Sequence, residues 1–295
     1  MKIAAIAACI CAALLFAPLA TAADTERVAS ESALSRLAPQ LHRLANSEPG
    51  VVAISIEDLR DGSNLSINGN ANLPAASVIK IPVMVEVFRQ VTIGRFTLNR
   101  TVGVFDSDRD CGFGSLCAVP WGARFSVREL LWRMITRSDN TAANMLVRLV
   151  GRQNVNQTMQ DLGLSQTRLA DAIHSDGDIR VLRTSANDMM QLLTAIAAHQ
   201  VVSDRASEQM LGMLAGQRHN TLLPEPLPRG VVIAHKTGTL HDTLNDVGIV
   251  ELPGSPYVIC VLTTHFADLD DAQSFIRDVS RLTFDAFVKR ARVEN

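Results

Sequence analysis

The sequence predicts an α/β chain in two lobes: an antiparallel sheet assembled from both ends of the chain and packed with helices, beside an all-helical middle. Three observations predict it. Strand patterns occupy residues 51–67 and 231–263, helical patterns fill the stretch from about 126 to 214, and no repeat or low-complexity linker divides the chain.

The elements follow in order. Leu34, Leu37, Leu41 and Leu44 fall at helical spacing within residues 28–46, and Glu48-Pro49-Gly50 stops that helix. Val51 to Ile56 and Leu65 to Ile67 read as a hairpin around Asp61-Gly62. Pro74-Ala75-Ala76 leads into Ser77, and Val78, Ile79, Ile81, Val83, Met84, Val87 and Phe88 then make a helix apolar nearly all round, a helix for the middle of a fold. Residues 92–125 are rich in Gly and Asp and carry little periodicity. Ser126-Val127-Arg128-Glu129 offers a capping box for a helix through Arg137. Further helical patterns run over Thr141 to Val150, Gln153 to Leu162, Ser185 to Ala198 and Ser203 to Leu214. Val231–His235, Val247–Leu252 and Tyr257–Thr263 read as strands, and residues 269–291 as a closing helix. The sheet lobe is thus expected over about 23–75 and 225–295, the helical lobe over about 76–224, with a cleft between them as the favoured place for a small-molecule site.

At the start, Lys2, an apolar run from Ile3 to Ala17 and Pro18-Leu19-Ala20-Thr21-Ala22-Ala23 have the grammar of a secretory signal peptide over residues 1–22, cleaved near Ala22. The expectation is one domain over 23–295, secreted, periplasmic in a Gram-negative host, with no stable membrane anchor and with a monomer as the default. A net charge of −2, with no basic block interleaved with aromatics, excludes a nucleic-acid surface. The expected partners are small molecules or cell-wall fragments. Cys111 and Cys117 flank Gly112-Phe113-Gly114-Ser115-Leu116, which in an oxidising compartment reads as a local disulfide pinning a loop. Zinc is the rival, but no His or second Cys pair sits at ligand spacing, so no metal is expected. Cys260 reads as a buried strand residue and an inert thiol.

Three short signatures carry the chemistry: Ser77-Val78-Ile79-Lys80, Ser138-Asp139-Asn140 and Lys236-Thr237-Gly238-Thr239. Each sets a hydroxyl beside an amine or amide, which acyl transfer through a serine ester requires. Singly they are weak, since an S-x-x-K arises by chance about once in a few hundred residues. Their conjunction is the signal. On a helix, i and i+3 share a face, so the Lys80 amine reaches the Ser77 hydroxyl. Apolar neighbours and a second cation, Lys236, would lower the Lys80 pKa enough for it to accept a proton. Backbone N–H groups at the helix start, that of Ser77 included, could hold an oxyanion, with the Thr239 N–H completing the hole. Ser138 could relay a proton to a departing nitrogen. Asn140 could hold a substrate carbonyl, Lys236 and Thr237 a carboxylate, and Gly238 would let substrate approach the backbone closely.

This set resembles the penicillin-recognising serine enzymes, and among them the class A β-lactamases. The spacing is similar, with 61 residues from Ser77 to Ser138 and 98 from Ser138 to Lys236. Leu130-Leu131-Trp132-Arg133-Met134-Ile135 before Ser138, Thr141-Ala142-Ala143-Asn144 after it, and Asn245-Asp246 extend the resemblance over essentially the whole mature chain. It implies Ser77 as nucleophile, Lys80 as base, Ser138 as proton shuttle, Asn140 and Thr237 as substrate contacts, Lys236 as carboxylate anchor, Ser77 and Thr239 as oxyanion donors, and no cofactor. The activity implied is opening of the β-lactam amide through an acyl-enzyme.

One departure matters. Class A enzymes usually carry a glutamate, within E-x-x-L-N, that activates water for deacylation, whereas residues 170–183 here contain none. Thr167-Arg168-Leu169 and Thr184-Ser185-Ala186 resemble the start and finish of that loop. Its acids are Asp171, Asp176 and Asp178, with His174 as another base; a solvated loop is the simpler reading of all four, and Arg168 with Asp176 or Asp178 reads as an ion pair. Two rivals follow: a penicillin-binding protein or related esterase or peptidase that acylates but releases product slowly, and a non-catalytic binding or sensing domain. The missing glutamate favours the first rival; intact Ser77, Lys80, Ser138 and Lys236 speak against the second.

Overall fold

The computed structural model describes residues 33–174 and 182–293, and the structural statements below concern these. The proposed leader, Asp176 and Asp178 lie outside them.

The chain opens with α1 (Ala33–Ser47), then β1 (Val51–Asp58) and β2 (Asn64–Ile67) as an antiparallel hairpin. β8 (Val232–Thr239), β9 (Leu244–Glu251) and β10 (Tyr257–Thr264) return near the end of the chain, and α8 (Leu269–Val293) closes it. These strands form one five-stranded sheet in the order β2-β1-β10-β9-β8, antiparallel throughout. The first and third strands of that order come from opposite ends of the chain. The side-chain period of two sorts their residues between two cores. Ile54, Ile56, Tyr257, Ile259 and Val261 pack with Leu34, Leu37 and Leu41 of α1 and Phe275, Ile276 and Val279 of α8. Ala53, Val258, Cys260 and Leu262 alternate to the other face, toward the helical half.

That half is built on α2 (Lys80–Thr92), where Ile81, Val83, Met84, Val85, Val87 and Phe88 are all buried. Around it lie α3 (Val127–Thr136), α4 (Asn140–Val150), α5 (Arg152–Asp161), α6 (Ala186–Ala197) and α7 (Asp204–Ala215). Four of these five helices start on a side-chain cap: Ser126 accepts from the Glu129 N–H, Asp139 from Ala142, Ser185 from Asp188 and Ser203 from Ala206, whereas α5 follows Gly151 and has none.

Three local results differ from the sequence reading. Ser77 lies in a 3₁₀ turn, Ala76–Ile79, ahead of α2 rather than in its first α-helical turn. The strand expected to end at His235 continues through Thr239, because Lys236 to Thr239 go on pairing with Leu244 to Val247 of β9. The stretch read as aperiodic holds a short ladder, β4 (Thr101–Gly103) with β5 (Arg124–Ser126). Two further short strands, β6 (Arg168–Leu169) and β7 (Leu182–Thr184), pair with each other, and β7 also pairs with β3 (Leu73–Pro74). Arg168 and Leu169 face Arg183 and Leu182, so this ladder joins the two ends of the loop that lacks the glutamate.

Candidate active site

In a 3₁₀ turn the side chains at i and i+3 eclipse. The Lys80 Nζ accordingly lies 3.0 Å from the Ser77 Oγ. Ala76, just before the serine, has a φ of +46°, a backbone conformation rare outside glycine, and it turns the half-buried Ser77 toward the open edge of β8. Gly238 of β8 faces that turn; a Cβ there would stand 3.0 Å from the Ala76 Cβ and 3.1 Å from the Ser77 nitrogen. Glycine at 238 therefore permits the close approach of strand and turn.

The second signature forms a corner between α3 and α4. Ser138 has a φ of +56°, and Asp139 caps α4. Lys80 Nζ lies within hydrogen-bond distance of three atoms of this corner: the Ser138 carbonyl oxygen at 2.6 Å, the Ser138 Oγ at 3.1 Å and the Asn140 Oδ1 at 2.6 Å. From the other side Lys236, whose side chain shares a sheet face with Gly238, reaches the Ser138 Oγ at 3.0 Å and the Thr237 carbonyl at 2.8 Å. The three motifs thus converge on one hydroxyl.

Both amines are fully buried. Burial holds the Lys80 pKa well below the ordinary lysine value, the charge of Lys236 lowers it further, and Asp139 and Asp110 oppose. Burial likewise pushes Lys236 down to about 7, with Asp246 opposing. A neutral amine has two N–H groups and one lone pair. At Lys80 two carbonyl oxygens, which can only accept, lie at 2.6 Å and engage the two N–H groups. The lone pair is left for the hydroxyls of Ser77 and Ser138. This arrangement suits a proton acceptor.

Ser77, Ser138, Thr237 and Thr239 line a cleft of about 240 Å³, together with Phe113, His219, Thr221, Leu222 and Asp270. The sequence reading does not single out His219; it is exposed at the cleft, and partial burial and then Lys236 lower its pKa. Behind it His235 and Asp246, buried within β8 and β9, bind the 219–223 segment. His235 Nδ1 lies 2.9 Å from Asp246 Oδ1, its Nε2 3.1 Å from Asn220 Oδ1, and Asp246 Oδ2 accepts from the Leu223 N–H at 3.1 Å. These bonds hold the 219–223 wall against the sheet.

The opposite wall is a disulfide-closed ring, Cys111–Cys117. It is sewn to the Ser138 corner: Asp139 Oδ2 accepts from the N–H groups of Ser115 and Leu116, and the Asn140 N–H donates to the Phe113 carbonyl. Cys260 is buried, and burial raises its thiol pKa.

Of the candidates for water activation, the two described ones, Asp171 and His174, are not among the residues that line the cleft. Asp171 is exposed, accepts from the Ala172 N–H and pairs with Arg152 at 3.5 Å. His174 Nδ1 stands 3.9 Å from Asp110 Oδ2. Between them, Ile173 is held by Asn144 of α4, whose side chain accepts from its N–H and donates to its carbonyl. Among the described residues no group of three or more His, Cys, Asp or Glu is placed to hold a metal ion.

Residues 36–287 match the model of the β-lactamase enzyme family. The extended-spectrum β-lactamase PER-1 of Pseudomonas aeruginosa is 25% identical over 274 residues, spanning 86% of this chain and 88% of that protein. The solved structure of PBP-A superposes with a TM-score of 0.82 at 31% identity, covering 87% of this chain and 97% of PBP-A. The β-lactamase of Sphaerobacter thermophilus superposes with a TM-score of 0.79 at 27% identity, covering 86% and 97%. A mutant of PBP-A has been captured as an acyl-enzyme complex with penicillin G. On the family match and the 31% identity across nearly nine-tenths of its length, this chain belongs to the β-lactamase enzyme family.

Proposed function

We propose that the protein is a serine β-lactam hydrolase that acylates at Ser77. The observation that carries this reading is the Lys80 amine, buried, with both N–H directions taken by carbonyl oxygens and 3.0 Å from the Ser77 hydroxyl. The Ser77 Oγ attacks the lactam carbonyl carbon and its proton passes to Lys80 Nζ. The negative charge that develops on the carbonyl oxygen is held by the N–H groups of Ser77 and Thr239. Collapse of the tetrahedral intermediate breaks the C–N bond, and the Ser138 hydroxyl protonates the departing nitrogen, regaining a proton from Lys80 or Lys236. Water then cleaves the ester and restores Ser77. Lys236, Thr237 and Thr239 hold the substrate carboxylate, and Asn140 and Gly238 line the acyl side. No cofactor enters any step. The leader grammar of residues 1–22 supports export to the periplasm in a Gram-negative host, where a monomer would meet small-molecule β-lactams.

The test mixes purified mature protein with a chromogenic cephalosporin and follows colour and intact mass together. Colour with a Ser77 adduct supports the reading. An adduct that persists in Ser77→Ala overturns it.

A second reading concerns the rate of release. No glutamate occurs in residues 170–183, and the described carboxylate there, Asp171, is exposed and paired with Arg152. Both facts favour a protein that acylates readily and deacylates slowly, as a penicillin-binding protein does.

A further inference from the structure

Asp110 belongs to none of the three signatures, yet its carboxylate is buried, at 8% exposure. It directly precedes the disulfide ring. Its Oδ1 accepts from the Asn140 Nδ2 at 2.7 Å and from the Gly112 N–H at 2.9 Å. Its backbone N–H and carbonyl both meet the Thr141 hydroxyl at 3.1 Å. The carboxylate therefore touches neither Ser77 nor Lys80, but it does touch the amide that touches Lys80.

The orientation of that amide decides what Lys80 can do. An asparagine can present either its oxygen or its NH2 to a neighbour, and the two exchange by a half-turn about χ2. With the NH2 toward Lys80, two donors would meet. The amine would then have to turn its lone pair toward Asn140 and away from Ser77. A carboxylate only accepts, so Asp110 fixes the NH2 on its own side and the oxygen on the side of Lys80. One N–H of the amide is spent in this way, and the other remains for a substrate carbonyl.

We propose that Asp110 is a positioning residue for acylation: by accepting from Asn140 it holds the Asn140 oxygen on Lys80, and so keeps the Lys80 lone pair directed at Ser77. This rests on the acyl-enzyme reading above. The disulfide ring gives it rigidity, because Cys111 follows Asp110 in the chain and Ser115 and Leu116 of the same ring bind Asp139, next to Asn140.

The charge of Asp110 has a separate, smaller effect. The charged groups around Lys80 are Lys236 from β8, Asp139 from the cap of α4 and Asp110; around Asp110 itself stand Asn140 and, at 3.9 Å, His174. Asp110 and Asp139 favour the protonated amine, against burial and Lys236. An asparagine at 110 could keep both bonds to Oδ1 while losing the charge. Orientation and charge are thus separable by substitution.

The experiment measures, from pH 5 to 9, the rate of the Ser77 adduct with penicillin G by intact mass in wild type, Asp110→Ala and Asp110→Asn, counting only protein that can be acylated, with melting temperatures alongside. Asp110→Ala is expected to acylate about 10-fold to 100-fold more slowly per competent molecule. Asp110→Asn is expected within about 3-fold of wild type at neutral pH, with the acid limb of its rate profile moved to lower pH. A merely structural role would lower the melting temperature and the competent fraction of Asp110→Ala but leave its rate per competent molecule in place, and that result overturns the proposal. Should Asp110→Ala not fold, Asp110→Asn decides alone: a retained rate supports the proposal, and a 10-fold loss with normal melting overturns it. No adduct in wild type would instead reject the acyl-enzyme reading.

Discussion

Lys80 and Lys236 share one hydroxyl: the Ser138 Oγ lies 3.1 Å from the first amine and 3.0 Å from the second. Two buried lysines can face each other this closely only if they do not both carry full charge. The pair therefore divides its work by protonation state. Lys80 is suited to accept a proton from Ser77, and Lys236, when protonated, to attract an anion. Ser138 connects them.

The pH dependence of kcat/KM should have two limbs. On the acid side the rate rises as Lys80 loses its proton, at a pH far below the ordinary lysine range because burial and Lys236 depress its pKa. On the alkaline side it falls as Lys236, pushed down to about 7, loses the charge that holds a carboxylate. Lys236→Arg keeps its charge at all accessible pH and should lose the alkaline limb. Steady-state profiles of both proteins with one penicillin check this; an unchanged alkaline limb in the arginine variant would reject the assignment.

Lys80→Met should slow formation of the Ser77 adduct by about 10²-fold to 10⁴-fold, the usual contribution of a general base. Quenched-flow mass spectrometry gives the rate. A loss below tenfold would mean that another group takes the proton.

Product release should limit turnover. Colour from a chromogenic cephalosporin should then appear as a burst of one equivalent followed by a slower steady rate. Asp171→Asn should leave that slow rate within about 2-fold, because the side chain is exposed and paired with Arg152. A larger fall would make Asp171 a participant in deacylation.

Gly238→Ala should reduce acylation by about 10-fold or more, since the added methyl would stand 3.0 Å from Ala76 and 3.1 Å from the Ser77 nitrogen and force the strand and the turn apart. Gly114→Ala should act on folding as well. Gly114 has a φ of +90°, and a Cβ there would overlap Asp139 at its Cγ and Cα. Melting temperature together with adduct rate separates the two: 238 should mainly lose rate, and 114 should lose both.

Opening the ring by Cys111→Ser with Cys117→Ser should cost about 2 kcal/mol of stability, the loop entropy of a short crosslink. Denaturant unfolding measures it.

Much of this site is readable from the chain alone, and the parts that are not share a cause. Ser77, Lys80, Ser138 and Lys236 stand out because each falls in a short pattern whose order can be checked. Asp110 does not: it reaches Asn140 across 30 residues, from a stretch with no periodicity, so no local spacing announces it. His235 and Asp246 lie inside strands whose apolar neighbours set the reading, and only the register that aligns His235 with Gly248 and Thr237 with Asp246 brings them together. The hairpin of β1 and β2 is legible from alternation and Asp61-Gly62, whereas β4 and β5, at three residues each, are too short to show a period. The 3₁₀ geometry at Ser77 was also hidden, since S-x-x-K reads alike in either kind of helix.

The crosslink at the rim of the cleft has a consequence for how the protein matures. Its two sulfurs come from cysteines only six positions apart, and a ten-residue segment closes on itself in about 10–100 ns. These thiols need only this local closure to meet, whereas β1 and β10 pair across about 200 residues. The remaining described cysteine, Cys260, ends inside the central strand of the sheet with its thiol kept protonated. A crosslink this local can form without the sheet, so the wall that braces Asn140 can be in place before the pocket it serves exists.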